Sequence, residues 1–559
     1  MNWIPTHLSY RQTGYFSKII TDYLDQAGPL SPFYAHPVSL DGLRSSLKAR
    51  QQAPVDRKVL VTALKEQYHK VNFSAHAAGA SLNANGASLN ANGSSLNANG
   101  SSSLVEQNIE SLLQENTFTV CTAHQPAIFT GTLYFIYKIL HTIRLARYLS
   151  EQWPEYRIVP VFYMGSEDAD LEELGKIYLD NEKLVWNTRQ TGAVGRMKPA
   201  GLEKILDRIE GEFSVKPFGK ELAGMLNEAY RNSPDIQTAT FRLLHHLFAE
   251  YGLVILIPDN ALLKKSMIPV FEDDLIEQTP SKVVEQTIGE LSDIYKVQAN
   301  PRAINLFYLK DNLRGRIERI GDTFKVHESN LVFTEKEITE ELYAHPERFS
   351  PNVILRGLFQ ETILPNIAFI GGGGEMAYWL EFKRLFEHYK KPFPVLILRN
   401  SFLLIEKAWR EKLERAHLPA TAVFQPGADL INELVKRETQ QQVTLEKEMQ
   451  GAQAYYQHLK TLAGSVDPTL EQHVDALRAK AVHPLHELEK KLLRAEKRKF
   501  ADLNRQIQAL KAALFPLDGL QERIDNFMPW YAARGRQFIT DLYEHSLALE
   551  QEFTILAEA

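Results

Sequence analysis

The chain has 559 residues, of which 44% are hydrophobic and 24% charged, and a formal net charge of -6. That length outgrows one hydrophobic core, so a large core with an added domain is expected, and the acidic balance gives no overall attraction for nucleic acid or an anionic membrane. Cys121 is the one cysteine, which excludes an intrachain disulfide and a cysteine-rich zinc site.

No stretch approaches the roughly 20 apolar residues that span a bilayer, and Met1 to Ser17 lacks a basic-then-apolar leader pattern, so a cytoplasmic protein is expected. Residues 1–73 read as mostly helical and packed on the core, with Phe16, Ile19, Ile20, Tyr23 and Leu24 as an apolar stripe ahead of Pro29 and Pro32. Residues 74–103 carry three near-copies of a seven-residue unit, at 80–86, 87–93 and 94–100. One leucine per copy among Asn, Gly and Ser cannot bury a coiled-coil seam, so this segment is expected to be a mobile low-complexity insertion.

Residues 104–428 alternate strands with helices. Phe118 to Thr122 is a run of β-formers, and Leu133, Ile136, Leu140 and Ile143 follow at helical spacing. Arg157 to Met164, Leu253 to Ile257, Asn366 to Ile370 and Val395 to Leu398 are further apolar strands. This alternation predicts one mainly parallel sheet covered by helices, with the loops 124–131, 165–170 and 371–375 opening on one edge. Residues 429–515 change to long charged helices. Leu445, Met449, Ala452, Tyr456 and Leu459 mark one seam, Leu485, Leu488, Leu492 and Ala495 a second, and Leu503, Ile507, Leu510 and Leu514 a third, with a slip near Lys499. The turn Gly464 to Pro468 makes this an antiparallel helical hairpin, whose seam calls for a homodimer. Residues 516–559, with Phe527, Met528, Trp530, Tyr531 and Phe538, are too aromatic for a free end and are expected to dock on the core.

Polar residues collect where the strands stop. In open α/β sheets, loops at the carboxyl ends of strands bind ligands, which points to His124, Gln125, Thr130 and Gly131. Glu167, Asp168 and Asp170 follow the second strand. They can bind a cation, hold sugar hydroxyls or accept a proton from an amine, or can simply favour the helix opening near Leu171. The run Gly371 to Gly374 ahead of Glu375 fits part of a dinucleotide fingerprint. The next strand, however, ends in Arg399-Asn400 rather than an acidic residue, so the glycines serve either close ligand approach or a tight turn. Arg356 and Gln360 share a helix face that can bind a carboxylate or phosphate, unless Arg356 only pairs with an acidic neighbour on the surface. Cys121, inside a strand, reads as core filling rather than a nucleophile. The basic run Lys490 to Lys499 is a solvated helix face or an anion site. No metal site is expected, since no second histidine stands at ligand spacing from His124.

With His124-Gln125-Pro126, Phe129-Thr130-Gly131, Tyr134 and Lys138, and then Gly165-x-Glu167-Asp168-x-Asp170, the chain resembles the bacillithiol biosynthesis cysteine-adding enzyme family. Ser350-Pro351-Asn352-Val353 with Arg356 and Gln360-Glu361, Gly373-Gly374-Glu375-Met376-Ala377-Tyr378-Trp379, and Leu520-Gln521-Glu522-Arg523 extend the resemblance over most of the chain. It implies a Rossmann-like core with a protruding coiled coil that supports dimers. It also implies a carbon–nitrogen ligase that adds cysteine to glucosaminyl malate through an amide bond, the last step of bacillithiol biosynthesis. On that reading His124, Asp168, Asp170 and Glu375 are the catalytic candidates, His124 as donor to the carbonyl and one carboxylate as base. Gln125, Thr130, Gly131, Tyr134, Glu167, Asn352, Arg356, Gln360, Gly373, Gly374 and Tyr378 line the substrates. Activating a carboxylate normally takes a nucleotide, yet no G-x-x-x-x-G-K-[ST] loop is present, so ATP or ADP enters as a family expectation and the energy source is open. The competing class is a nucleotide-binding assembly or regulatory protein that dimerises through its hairpin.

Overall fold

The computed structural model describes residues 3–71, 87–89, 95–97, 103–438, 444–499 and 501–559. Of the repeat segment it shows the strands Ala87–Leu89 and Ser95–Asn97, paired antiparallel; the rest of that expected insertion lies outside the described residues. The chain divides into two compact units. The larger comprises 7–402 and 522–554, the smaller 1–6, 403–521 and 555–559.

The larger unit is built on five strands, β1 (Thr117–His124), β2 (Arg157–Met164), β3 (Val254–Leu256), β4 (Asn366–Gly371) and β5 (Val395–Leu398), in the order β5-β4-β1-β2-β3. Every pair is parallel, with Cys121 opposite Val161 and Phe369. β1 is buried almost from end to end because both faces of the sheet are covered, as parallel sheets require. Phe118, Val120, Ile158, Ile367, Ile370, Val395 and Ile397 pack with Leu145 and Leu149 of helix α1 (Leu133–Gln152) and with Leu43 and Leu47. Pro160 lies within β2, and pairing with β3 starts at Val161, one residue on, so the missing N–H falls at the mouth of that ladder. The strand order reverses between β1 and β4, where α/β sheets open a crevice at their carboxyl edge.

Three further helices frame that edge: α2 (Ile268–Ile276), α3 (Val353–Ile363) and α4 (Gly373–Trp379). A five-stranded antiparallel sheet is inserted between β3 and β4; its strands Leu306–Lys310, Leu313–Ile320 and Phe349–Pro351 run alongside the crevice. Residues 522–554 complete the unit, with Asn526 bonded to the carbonyls of Phe129 and Gly131 and Tyr531 to Glu221.

In the smaller unit, α5 (Gly427–Glu438) packs against α8 (Ala501–Leu514), while α6 (Glu446–Val466) and α7 (Leu470–Lys499) form an antiparallel hairpin. Lys460 pairs with Asp475 at 2.6 Å near the turn, and Glu489 accepts the Leu445 N–H 3.2 Å away at the other end. The first expected seam holds, since Leu445, Met449, Ala452, Tyr456 and Leu459 are half-buried between exposed neighbours. On α7 the seam shifts: Leu485 and Leu492 face inward, but Glu489 replaces Leu488, which is 46% exposed. The expected slip near Lys499 adjoins residue 500, which lies outside the described residues; α7 is described to Lys499 and α8 from Ala501. Among the described residues no helix is long and apolar enough to cross a membrane.

Candidate active site

A cavity of about 350 Å³ opens at the carboxyl edge of the central sheet, within the size range of small-molecule sites. Gln125 reaches it from the loop after β1, Gly165 to Asp168 from the loop after β2, and Pro258 from beyond β3. Asn352 and Arg356 come from the start of α3, Tyr378 from α4, and Phe307 and Arg314 from the inserted sheet. Strand ends thus supply the acid and the amide, and helix starts and the insertion supply the cations.

Asp168 is the carboxylate that faces this space. Gln125 Nε2 donates to one oxygen at 3.0 Å, the Ala169 N–H donates to the other at 2.9 Å, and Arg314 stands 3.5 Å away. Burial works to raise its pKa, but Arg314, the Gln125 bond and Arg356 outweigh it and hold the group below the ordinary carboxylate range. Arg314 lies 3.9 Å over the Phe307 ring and donates to Ser350 Oγ at 3.3 Å. Arg356 donates to the Tyr378 hydroxyl at 2.8 Å. Glu167, also in the cavity wall, is neutralised by an ion pair with the fully buried Lys264, which also donates to the Glu347 carbonyl at 3.1 Å. Asp259, gripped at 2.7 Å through both oxygens by Arg196, balances that lysine at 4.0 Å. With Glu167 neutralised, two guanidiniums face one carboxylate, and the cavity carries an excess of positive charge.

A second polar cluster stands at the ends of β1 and β4. His124 Nδ1 is 2.9 Å from the Gln125 carbonyl, which can only accept, so the proton sits on Nδ1 and Nε2 accepts from the Tyr134 hydroxyl at 3.1 Å. Burial and the nearby Lys138 ammonium push the His124 pKa down to about 4. Lys138 donates to the Ala123 carbonyl at 2.6 Å and to Glu375 at 2.5 Å. Burial favours the neutral acid at Glu375, yet Lys138 and the Gly372 N–H, 2.8 Å away, hold its pKa below the usual range.

The expected site residues therefore separate. Gln125, Glu167, Asp168, Asn352, Arg356 and Tyr378 line the cavity, and His124, Tyr134 and Glu375 form the second cluster. Five do neither. Asp170 is exposed and caps the helix Leu171–Leu174 by accepting the Glu173 N–H at 2.9 Å, so its charge serves the helix end. Thr130 and Gly131 are buried in a turn where Phe129, Thr130 and Gly131 all have positive φ, locked by Tyr230 and Asn526. Gln360 bonds to Glu361 in a buried network below the sheet edge. Gly373 and Gly374 start α4 and are not part of the cavity wall. A donor role for His124 also fails in this state, because Nε2 is an acceptor.

The sequence reading missed Arg314, Phe307, Lys138 and Lys264 as parts of the site. Arg314 and Phe307 arrive from an inserted sheet whose folding is long-range. Lys138 had a local signal, a lone cation inside the apolar run Phe135 to Leu140, which a buried helix face tolerates only when the charge is paired.

Residues 87–400 match the family model described as the bacillithiol biosynthesis BshC N-terminal Rossmann-like domain, and residues 402–558 match the BshC C-terminal coiled-coil domain. A protein of Flavobacterium johnsoniae is 37% identical over 99% of this chain and 100% of its own length. One of Flavobacterium psychrophilum is 36% identical over the whole of both chains, and one of Cytophaga hutchinsonii is 37% identical over 95% of this chain and 94% of its own. Each carries the name "Putative cysteine ligase BshC".

Proposed function

This chain belongs to the BshC family of bacillithiol biosynthesis, and from that premise we propose that it ligates cysteine to glucosaminyl malate through an amide bond, as the last step of the pathway. The observation that carries this reading is the charge pattern of the cavity, two guanidiniums and one carboxylate. Arg314 and Arg356 suit the malyl carboxylates, since a guanidinium binds a carboxylate through two parallel bonds. Asp168, kept ionised, suits the glucosaminyl ammonium; as the amine attacks the activated carboxyl of cysteine, the C–N bond forms while the bond from that carbon to the activating group breaks, and the amine's proton leaves through Asp168 to solvent. Of the three carboxylates that could take that role, only Asp168 lines the cavity, while Asp170 caps a helix and Glu375 is held by Lys138, which favours Asp168. The activating donor is open, and ATP is the first to supply in an assay.

The test is a thiol profile of cells lacking the gene. Bacillithiol should vanish and glucosaminyl malate accumulate. Wild type should restore the thiol, while Asp168→Asn and Arg356→Lys should restore it about 100-fold less well at equal protein level, the usual scale for one acid/base or charge-stabilising group. Undiminished bacillithiol in the deletion strain would sink the assignment, and full rescue by Asp168→Asn would remove Asp168 from it.

We also propose a homodimer through the hairpin. Tyr455, Leu462, Leu477 and Leu488 are 60%, 58%, 41% and 46% exposed within the single chain, and apolar side chains in such number on one arm favour a partner surface. Sedimentation as a monomer at micromolar concentration would contradict this.

A further inference from the structure

We propose that Asn305, anchored by Asp274, is the positioning residue that sets the spacing of Arg314 and Arg356 and so selects the anion they hold; that these groups hold an anion at all rests on the function proposed above. Asn305 is 1% exposed and stands immediately before the inserted strand Leu306–Lys310. Its backbone N–H donates to Asp274 Oδ2 at 2.6 Å and its Nδ2 to Asp274 Oδ1 at 3.0 Å, so one carboxylate on α2 grips it twice and prevents rotation. Nδ2 also donates to the Arg302 carbonyl at 2.9 Å, and Oδ1 accepts the Arg302 N–H at 3.2 Å. Every polar group of this buried amide is engaged, the condition under which such a network specifies one geometry.

Two arms leave Asn305. Along one, its carbonyl accepts the Asn352 N–H at 2.9 Å and its Oδ1 accepts Asn352 Nδ2 at 3.0 Å. Asn352 in turn caps α3, taking the Ile354 N–H on Oδ1 at 2.8 Å and the Arg356 N–H on its carbonyl at 2.9 Å. Asn352 thus acts as a brace as well as a cavity residue, and the backbone of Arg356 is tied to Asn305 through one residue. Along the other arm, the strand places Phe307 two residues beyond Asn305, opposite Ser350. Arg314 rests on both, over the Phe307 ring and bonded to Ser350 Oγ. The two guanidiniums come from different elements; Asn305 is hydrogen-bonded to the support of one and is continuous with the strand that supports the other.

Neither aspartate nor alanine meets these demands. Aspartate at 305 would face Asp274 with like charge, and alanine would leave Asn352 Nδ2 and one Asp274 oxygen without their partner. The test uses the full chain labelled with ¹⁵N-arginine, the Nε–Hε signals of Arg314 and Arg356 being identified by their loss in Arg314→Lys and Arg356→Lys. Asn305→Ala should shift or broaden both signals while those of Arg50 and Arg399, buried in ion pairs elsewhere in the unit, stay in place. Malate, titrated as probe, should bind about tenfold more weakly to Asn305→Ala than to wild type. If Asn305→Ala does not fold, Asp274→Asn, which keeps one acceptor, carries the same measurement with a smaller displacement. Unchanged Arg314 and Arg356 signals in the folded variant overturn the proposal. Signals that move while malate binds neither protein uphold the positioning and instead refute the anion-binding reading of the cavity.

Discussion

Arg50→Met is the perturbation whose cost can be worked out most fully. Arg50 is 2% exposed and Glu361 is fully buried, and the two pair at 2.8 Å beneath the sheet edge. The guanidinium makes two further bonds, to the carbonyls of Glu361 at 2.9 Å and Asn366 at 3.1 Å. Glu361 Oε1 meanwhile accepts from Asn366 Nδ2 at 2.7 Å and Gln360 Nε2 at 3.0 Å. Removing the arginine strands a carboxylate in the core, which costs about 3 to 5 kcal/mol. Burial already pushes the Glu361 pKa above the ordinary range, and losing Arg50 pushes it further, so the acid can escape by taking up a proton. The variant's loss should therefore be larger at pH 8 than at pH 6, because stability gained by a raised acid is lost as pH rises through its folded value. Adding Glu361→Gln to Arg50→Met removes the stranded charge while keeping an acceptor for Asn366 and Gln360, and should recover at least half of the loss. Urea unfolding followed at both pH values measures this. A single-variant loss under about 1 kcal/mol, or a double variant less stable than the single, would refute the account of Glu361 as a charge held by Arg50.

Three shorter expectations follow. The ¹H and ¹⁵N ring signals of His124 should stay those of the Nδ1–H tautomer from pH 8 down to pH 5 and change only near pH 4; a midpoint near 6.5 would mean that the ring is neither desolvated by burial nor set beside a charged Lys138. Burial, with Asp180 behind it, pushes Asp525 from 3.8 up to about 7, so its contribution is present below pH 4 and lost as pH rises through 7. Asp525→Asn should then stabilise the protein by on the order of 2 to 4 kcal/mol at pH 8 and leave it unchanged at pH 4, as thermal melts at the two pH values would show. Cys121, buried in β1 with its thiol pushed well above the usual range by burial, should resist a thiol reagent in the folded chain, and Cys121→Ser should keep bacillithiol production; a fast-reacting folded thiol would contradict both.

What the residues disclosed in advance followed from local periodicity. Five apolar runs ended in polar loops, and parallel strands buried on both faces leave that signature, so the sheet and the edge that carries the cavity were legible. The hairpin seam was legible down to Leu459 for the same reason, and failed at Leu488 because a polar contact, Glu489 to the Leu445 N–H, takes the inward position there. The site was legible where a polar residue directly follows a strand of the sheet, as with Gln125 after β1 and Asp168 after β2. Gln360 shows the limit. It shares a helix with Arg356 and sits one turn on, yet that turn crosses from the cavity wall into the core, where Glu361 claims its amide. Spacing along a helix tells which residues share a face; it does not tell how deep along the axis the face leaves solvent. Arg314 marks the opposite failure. Nothing near it in the chain signals a ligand, because its place beside Asp168 is fixed by an antiparallel insertion packed through Phe307 and Ser350. The excess of positive charge that supports an anionic substrate thus depends on a residue that no local pattern could assign, and the same junction, through Asn305, ties it to Arg356.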